Sequence, residues 1–448
     1  MEDTNIDLLR IRAALETQRL QDAITILLEM HPADRAEVFE LLEDDEQGLL
    51  LPLMDIQATA DLLEELEDEA ALEAVETLTT SRLADVLDEM EPDEAADLLG
   101  DLPVNRVTQT LAEMEEADEV IPLLGYPDES AGGLMTTSYI AMRRQTAADQ
   151  AIQFLRDVSE EVEIPYYLYV VDRENKLVGV VSLRDIVLAK PGALMNDMME
   201  RDVIYVNSTT DQEEAARVMS RYDLAALPVV DEQNRIVGVI THDDIVEVIE
   251  DEATEDIYRL ASVSDVDLEP DSPITEQLKG RLPWLYINAL TALFASWVVT
   301  NFEALIGQVA ILAAFQSVVA GLGGNSASQN VAMIVRSVAL GKSTVRHLWQ
   351  VLRRQVFVGL LTGLAVGIVV GTGVALWQND PYLGTVLGFA MIGNMVVAGI
   401  VGTLVPFLII ALGKDPALAS TVLVTATTDS MGFLIFLGLA SIFLPYLQ

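Results

Sequence analysis

The sequence predicts a multidomain α and α+β protein: an N-terminal helical superhelix, two related α+β modules, an acidic linking helix and a five-span α-helical membrane domain. Three observations predict it. Apolar residues recur every twelve positions between Met30 and Met114, a mixed strand-and-helix stretch repeats with a period of 59, and long apolar blocks begin beyond Pro283. Charge divides the chain at the same place. Residues 271–448 hold eight basic and six acidic residues, near +2, which leaves 18 basic and 65 acidic residues in 1–270, a net −47. So acidic a half disfavours nucleic acid and implies cationic partners. The chain has no cysteine, and its first ten residues lack the apolar run of a signal peptide, so the acidic half is expected in the cytoplasm.

Residues 1–130 read as the superhelix. Met30, Leu42, Met54, Leu66, Leu78, Met90, Leu102 and Met114 lie twelve apart, and Phe39, Leu51, Leu63, Val75, Leu87, Leu99 and Leu111 keep the period at a second position. Such a repeat predicts short stacked helices, each opened by a Pro or acidic cap as in Glu91-Pro92-Asp93-Glu94. Asp93 and Asp97 fall one helical turn apart, which suits either a solvated face of a protein-binding solenoid or a cation site.

The longer repeat matches Tyr169-Val170-Val171-Asp172 and Leu177–Ile186 to Pro228-Val229-Val230-Asp231 and Ile236–Ile245. Each copy reads as a β-hairpin leading into a helix. The pair resembles tandem cystathionine-β-synthase (CBS) modules, here 131–196 and 197–245. Their shared Ser/Thr-x-x-Asp, Ser182/Asp185 and Thr241/Asp244, is similar to the ribose-contacting pattern of nucleotide-binding members and implies ATP or another adenine nucleotide; many such pairs bind none. His242 reads as a solvated neighbour of the acidic turn. Residues 246–276 then hold a continuous acidic helix to about Leu260, carrying Glu247, Glu250, Asp251, Glu252, Glu255 and Asp256, with the basic 336–354 segment as its electrostatic counterpart.

Within 277–448, apolar blocks at roughly 284–302, 305–335, 355–378, 382–412 and 417–445 each meet the ~20 residues of a membrane span. With the N-terminus cytoplasmic, the inside segments hold all eight basic residues and the C-terminus lies outside. Asp429 is the one carboxylate well inside a block, and Thr421, Thr425 and Asp429 form one polar stripe at every fourth residue. Asn325, Gln329 and Asn394 read either as lining the same path or as hydrogen-bonding glue between helices, and Asp429 itself either as an ion ligand or as a partner of Arg336. One Asp per chain cages a divalent ion poorly, so a homodimer is expected; hard oxygen ligands around a hydrated ion suit Mg²⁺ and do not exclude other divalent cations. No phosphate-binding loop or cluster of His points to an enzyme.

Over nearly its whole length the chain closely resembles the MgtE family of Mg²⁺ channels. The resemblance rests on Tyr126-Pro127-Asp128-Glu129-Ser130-Ala131-Gly132, Glu252-Ala253-Thr254-Glu255-Asp256, Arg281-Leu282-Pro283-Trp284, Gly323-Gly324-Asn325, and Asp415-Pro416-Ala417-Leu418-Ala419-Ser420 with Thr428-Asp429 and Gly432-Phe433. It implies a dimeric plasma-membrane channel holding hydrated Mg²⁺ at Asp429, with the acidic helix as a linking plug helix. It further implies Mg²⁺ ions that close the channel at Asp93, Asp97, Asp211, Glu213, Asp223, Asp244, Glu247, Glu252, Glu255, Asp256 and Asp415. The family's feedback would open the channel at low cytoplasmic Mg²⁺ and close it at high. An ion-coupled carrier or exchanger, or a membrane-anchored metal or nucleotide sensor that conducts nothing, are the competing expectations. The sequence departs from the family at Gln355, where glutamate is expected, at Ser326 and Ala327, and at Glu247, where Asp is favoured.

Overall fold

The computed structural model describes residues 2–157, 166–264, 268, 272–342, 345–414, 416–417 and 420–447. The chain forms two compact units, Met1–Ile249 and Glu250–Gln448.

The first unit opens with ten short helices: α1 (Glu2–Glu16), α2 (Leu20–Leu28), α3 (Pro32–Glu40), α4 (Asp44–Leu50), α5 (Ile56–Leu63), α6 (Asp68–Glu76), α7 (Thr80–Leu87), α8 (Pro92–Asp101), α9 (Val104–Glu113) and α10 (Ala117–Val120). The twelve-residue repeat is their core. Leu42, Met54, Leu66, Leu78, Met90, Leu102 and Met114 are buried, as are Phe39, Leu51, Leu63, Val75, Leu87 and Leu99, while Met30 and Leu111 are half-buried at the ends.

Neighbours in space lie two repeats apart. Odd helices stack in the series α1, α3, α5, α7, α9 and even ones in the series α2, α4, α6, α8. Side chains tie the two series to each other: Glu64 Oε1, at the end of α5, accepts the Glu91 N–H before α8 at 2.7 Å, and Asp88, at the end of α7, accepts the Glu115 and Glu116 N–H groups before α10 at 2.9 and 3.0 Å. Each carboxylate thus satisfies main-chain donors that a helix start leaves unpaired. In the other direction Arg82 donates to Met54 O, and Arg106 to Leu78 O at 3.1 Å.

Two small sheets follow. β1 (Ala141–Arg143) pairs parallel with β2 (Tyr167–Val171), which pairs antiparallel with β3 (Leu177–Ser182). After α11 (Ala148–Asp157), α12 (Leu183–Leu188), α13 (Met195–Met198) and α14 (Gln212–Tyr222), the second sheet repeats the first as β4 (Val206–Asn207), β5 (Ala226–Val230) and β6 (Ile236–Thr241). Tyr167 pairs with Ser182 as Ala226 pairs with Thr241, and both hairpins shift register at the matching place, Val170/Val171 and Val229/Val230. The period of 59 is therefore a structural repeat. Tyr169, Val171, Ala226, Ile236 and Val239 pack the two sheets together. α15 (His242–Leu260) leaves the second hairpin and extends into the second unit.

The second unit is helical: α16 (Ile274–Thr300), α17 (Glu303–Gln308), α18 (Ile311–Ala339), α19 (Leu348–Gln378), α20 (Pro381–Ala411) and α21 (Ser420–Phe443). Among the described residues four helices are long and apolar enough to cross a membrane: Ile274–Thr300, Leu348–Gln378, Pro381–Ala411 and Thr421–Tyr446. α18, expected as a fifth span, has 29 residues, which is length enough; its polar centre, Gly323-Gly324-Asn325-Ser326-Ala327-Ser328-Gln329-Asn330, dilutes its apolarity.

α19 and α20 meet along a glycine seam. Gly359, Gly363, Gly367 and Gly371 recur every fourth residue and are all buried. A methyl group on Gly367 or Gly371 would stand 2.6 Å from the carbonyl oxygen of Gly388 or Gly384, so only glycine admits this approach. Asn379, in the left-handed region at φ 53°, and Asp380, whose Oδ1 accepts the Tyr382 and Leu383 N–H groups, make the turn between them. At the other end of the unit, Trp284 donates to Ser264 Oγ at 2.7 Å and fixes the return from α15 into α16.

Candidate cation sites

α8 starts at Pro92 and carries Asp93 and Glu94 in its first turn, where a helix N-terminus favours negative charge. Asp93 is only 6% exposed. The Thr136 hydroxyl hydrogen-bonds its carboxylate, yet Oδ1 has no partner. Burial, with repulsion by Asp244 and Glu91, holds its pKa well above the usual carboxylate range. Burial and the charges of Asp93, Asp97, Glu247 and Asp244 push Glu94 up to about 9. Asp97 opens to solvent on one side. Crowding by protein on the other, then repulsion by Asp128, Asp68, Asp101 and Glu247, raises it to about 7. Asp244 is raised by burial, against two hydrogen bonds from Thr241 that favour its charged form.

These carboxylates form one field. Glu94, Asp97, Asp68 and Asp101 line a cleft floored by Leu63, Leu66 and Met90. Arg82 and Arg106, the basic residues between Arg35 and Arg143, donate to main-chain carbonyls. A divalent cation fits the unpartnered, buried Asp93 Oδ1 and the charge around it. Among the described residues no three carboxylates or imidazoles converge at metal-ligand spacing.

The remaining expected cytoplasmic residues lie apart in the single chain. Asp211 caps α14 by accepting the Glu213 N–H at 3.0 Å, and Glu213 pairs with Arg217 at 3.1 Å. Asp223 closes the far end of α14 in a left-handed conformation, φ 54°. Eleven residues, roughly 16 Å at the usual helical rise, separate the two ends. Glu252, Glu255 and Asp256 share a half-buried face of α15, where Glu255 pairs with Arg259. Asp415 lies outside the described residues.

The two Ser/Thr-x-x-Asp motifs are helix caps with different surroundings. Ser182 Oγ donates to Asp185 Oδ2 at 2.6 Å, and that pair faces solvent; Thr241 Oγ1 donates to Asp244 Oδ2 at 2.5 Å within the acidic field.

In the second unit Thr421, Thr425 and Asp429 are half-buried along one stripe of α21. Thr425 Oγ1 donates to Thr421 O at 2.8 Å, which leaves hydroxyl lone pairs directed off the helix, and Gly324 of α18 packs near the Thr425 methyl. Among the described residues no ion pair joins Asp429 to Arg336. Asn325 and Gln329 are exposed on α18, one turn apart.

Asn394 does not line such a path. It is fully buried, donates to Val319 O at 2.8 Å, and its amide fills the space over Gly323 and Gly432. The asparagine reading as interhelical glue therefore holds for this residue. Asn330 is a second such node, donating to Gly399 O at 3.0 Å and Thr403 Oγ1 at 3.3 Å.

Sequence reasoning missed Glu94, Asp68, Asp101 and Asp128 as members of the acidic field, and Asn330 as a packing node. Glu94 and Asp101 share α8 with Asp93 and Asp97, a signal in plain view. Asp68 carried a usable signal too, since it lies 24 residues before Pro92, two repeats back on the neighbouring even helix.

Comparison with known proteins matches residues 316–439 to a family described as divalent cation transporter, 30–129 to the MgtE intracellular N domain, and 131–192 and 195–251 to the CBS domain. The chain is 39% identical over 328 residues to the magnesium transporter MgtE of Thermus thermophilus, 73% of this chain and 72% of that one. It is 37% identical to the magnesium transporter MgtE of Enterococcus faecalis, over 74% of this chain and 73% of that one. The cytosolic domain of the Mg²⁺ channel MgtE, solved in complex with ATP, superposes with a TM-score of 0.51 at 34% identity, covering 54% of this chain and 99% of that one. The soluble part of a magnesium transporter matches with the same TM-score at 32% identity, covering 56% and 99%.

Proposed function

Because this chain belongs to the MgtE family of magnesium transporters, we propose that it is a Mg²⁺ channel importing the ion across the plasma membrane and closed by cytoplasmic Mg²⁺ at its acidic field. The observation that carries the reading is the Thr421–Thr425–Asp429 stripe, which sets the one carboxylate of α21 in line with two hydroxyls along a single face of the helix. An intramembrane carboxylate is costly unless an ion or a partner charge meets it. Exposed Asn325 and Gln329 on α18 support a second copy, because amides facing lipid would be costly in the same way. Two copies around a two-fold axis give two Asp429 carboxylates and flanking hydroxyls to one hydrated Mg²⁺.

In this reading α18 is the fifth span, the N-terminus is cytoplasmic and the C-terminus outside. At low Mg²⁺ the carboxylates of residues 1–249 and of α15 repel; bound Mg²⁺ would neutralise them and favour the closed form, with α15 as the plug. Asp93, Asp97, Asp244 and Glu247, joined by Glu94, are the sensor in the first unit, and Glu252, Glu255, Asp256 and Asp415 that of the second. Asp211, Glu213 and Asp223 would contribute only across the dimer. The exposed Ser182/Asp185 pair is the preferred nucleotide position, since Asp244 already serves the acidic field; the ATP complex of the related cytosolic domain supports this second ligand.

The test is Mg²⁺ flux into proteoliposomes with Mg²⁺ varied on the cytoplasmic face. Asp429→Ala should abolish flux and wild-type flux should fall as cytoplasmic Mg²⁺ rises. Unchanged flux in the variant would return Asp429 to a packing role. Single-channel currents would separate a channel from a carrier or exchanger.

A further inference from the structure

The start of α19 carries a charged surface that the Mg²⁺ reading does not use. From Ala304 to Asn379 the sequence contains no acidic residue, yet it holds Arg336, Lys342, Arg346, Arg353 and Arg354. All five are exposed. Among the described residues none of them is in an ion pair, including with the acidic helix α15 that the sequence offered as their counterpart.

Their placement is specific. Trp349, Arg353 and Phe357 recur every fourth residue on one face of α19, and Arg346 lies two residues before the helix. Trp349 is 73% exposed and Phe357 60%. The same side continues into exposed Leu360, Leu364 and Ile368, which flank the seam of buried glycines that packs on α20 and turn outward from it. An apolar stripe facing outward on a membrane span is covered by acyl chains. The headgroups of those lipids then stand where the stripe turns polar, at Trp349, Arg353, Arg354 and Arg346. Tryptophan favours that interfacial depth, and guanidinium forks fit phosphate oxygens bidentately.

We propose that this surface is a binding site for an anionic phospholipid of the bilayer, with Arg346, Arg353 and Arg354 on the headgroup phosphate and Trp349 at the interface. Without acidic neighbours in sequence, the surface prefers a net negative headgroup over a zwitterionic one. Failure of this inference would leave the Mg²⁺ reading untouched, because no pore or sensor residue takes part.

The test uses full-length protein reconstituted in equal parts phosphatidylglycerol and phosphatidylcholine, with retained lipids counted by native mass spectrometry. Wild type should retain phosphatidylglycerol with roughly tenfold preference, reduced several-fold in Arg346→Gln/Arg353→Gln/Arg354→Gln. The equal charge loss in Lys279→Gln/Arg281→Gln/Lys414→Gln should leave the preference in place. Quenching of Trp349 by brominated phosphatidylglycerol, read against Trp349→Phe, should exceed that by brominated phosphatidylcholine and fall with added salt. Equal retention in wild type and the first variant overturns the proposal, as does equal loss in both variants. So does absence of any preference in wild type, which would leave the arginines to α15 of the same chain.

Discussion

The two units bury polarity of different kinds, charged in one and neutral in the other. In the membrane unit, Asn394 and Asn330 each donate to a main-chain carbonyl across a helix contact, and glycines make room for them. In the first unit, Asp93 is buried too and is surrounded by further carboxylates. Among the described residues, a buried oxygen without a partner in the first unit belongs to a carboxylate, Asp93, in a field of like charge; in the membrane unit the buried oxygens without a partner belong to neutral amides, Asn330 and Asn394. Under the proposed Mg²⁺ feedback, the charged field is the part that bound cations would complete, and the neutral amide contacts would be indifferent to the ion.

The largest effect should come from breaking the scaffold side. Gly371→Leu drives a side chain into the Gly384 carbonyl, and overpacking of this kind in a seam of backbone contacts costs at least about 3 kcal/mol. Loss of a folded, detergent-stable protein is expected. A variant as heat-stable as wild type would mean that the seam can part.

On the sensor side, Asp93→Asn removes a repelled charge and should stabilise the Mg²⁺-free protein, on the order of 1–2 kcal/mol at neutral pH. The stabilisation that millimolar Mg²⁺ confers should shrink in the same variant. If Mg²⁺ protects both proteins equally in thermal unfolding, Asp93 is not part of the sensor.

A smaller, graded effect follows from protons. Glu94 and Asp97 have folded pKa values raised to about 9 and about 7, so the folded state holds protons that the unfolded chain releases. Their contribution is fully present below pH ~4 and is lost as pH rises toward about 9, the reverse of an ordinary salt-bridged acid. Hydrogen exchange at the α8 amides should therefore quicken from pH 6 to pH 9 beyond its intrinsic rate, and Mg²⁺ should suppress the difference. Exchange that tracks the intrinsic rate throughout would falsify the coupling.

The smallest change sharpens the comparison between the two caps. Ser182→Ala costs about 1 kcal/mol locally and should weaken adenine-nucleotide binding, measured by calorimetry, while leaving the Mg²⁺ dependence intact. Thr241→Ala should instead disturb the Mg²⁺ response, because its hydroxyl holds Asp244.

Much of this was legible in the sequence because repeats announce themselves. The twelve-residue period marked the buried positions of α2 to α9, and the period of 59 marked two hairpins that agree down to their register shifts. What period alone does not say is which repeat lies beside which. Helices two repeats apart became neighbours, which brings Asp68 to Glu94 and Asp97, and a list of acidic residues by position carries no such pairing. In the membrane unit the polar residues stood out, but glue and pathway differ only in what surrounds them. Asn394 and Asn325 look alike in sequence; the first lies buried against Gly323 and Gly432 and the second is exposed. The count of spans depended on α18, whose polar centre weakens the apolar signal at the place where the proposed pathway runs.

The hairpin of α19 and α20 bears on how the protein is made. Only Asn379 and Asp380 join the two helices, so their contacts are nearly the most local that two spans can form. Neither helix has a finished surface alone, because each presents bare backbone along the face that the other covers. During synthesis the second helix emerges directly after the first and closes that face before α21 exists. The pair then enters the bilayer as one double-stranded element, and the later helix packs against a wall already built.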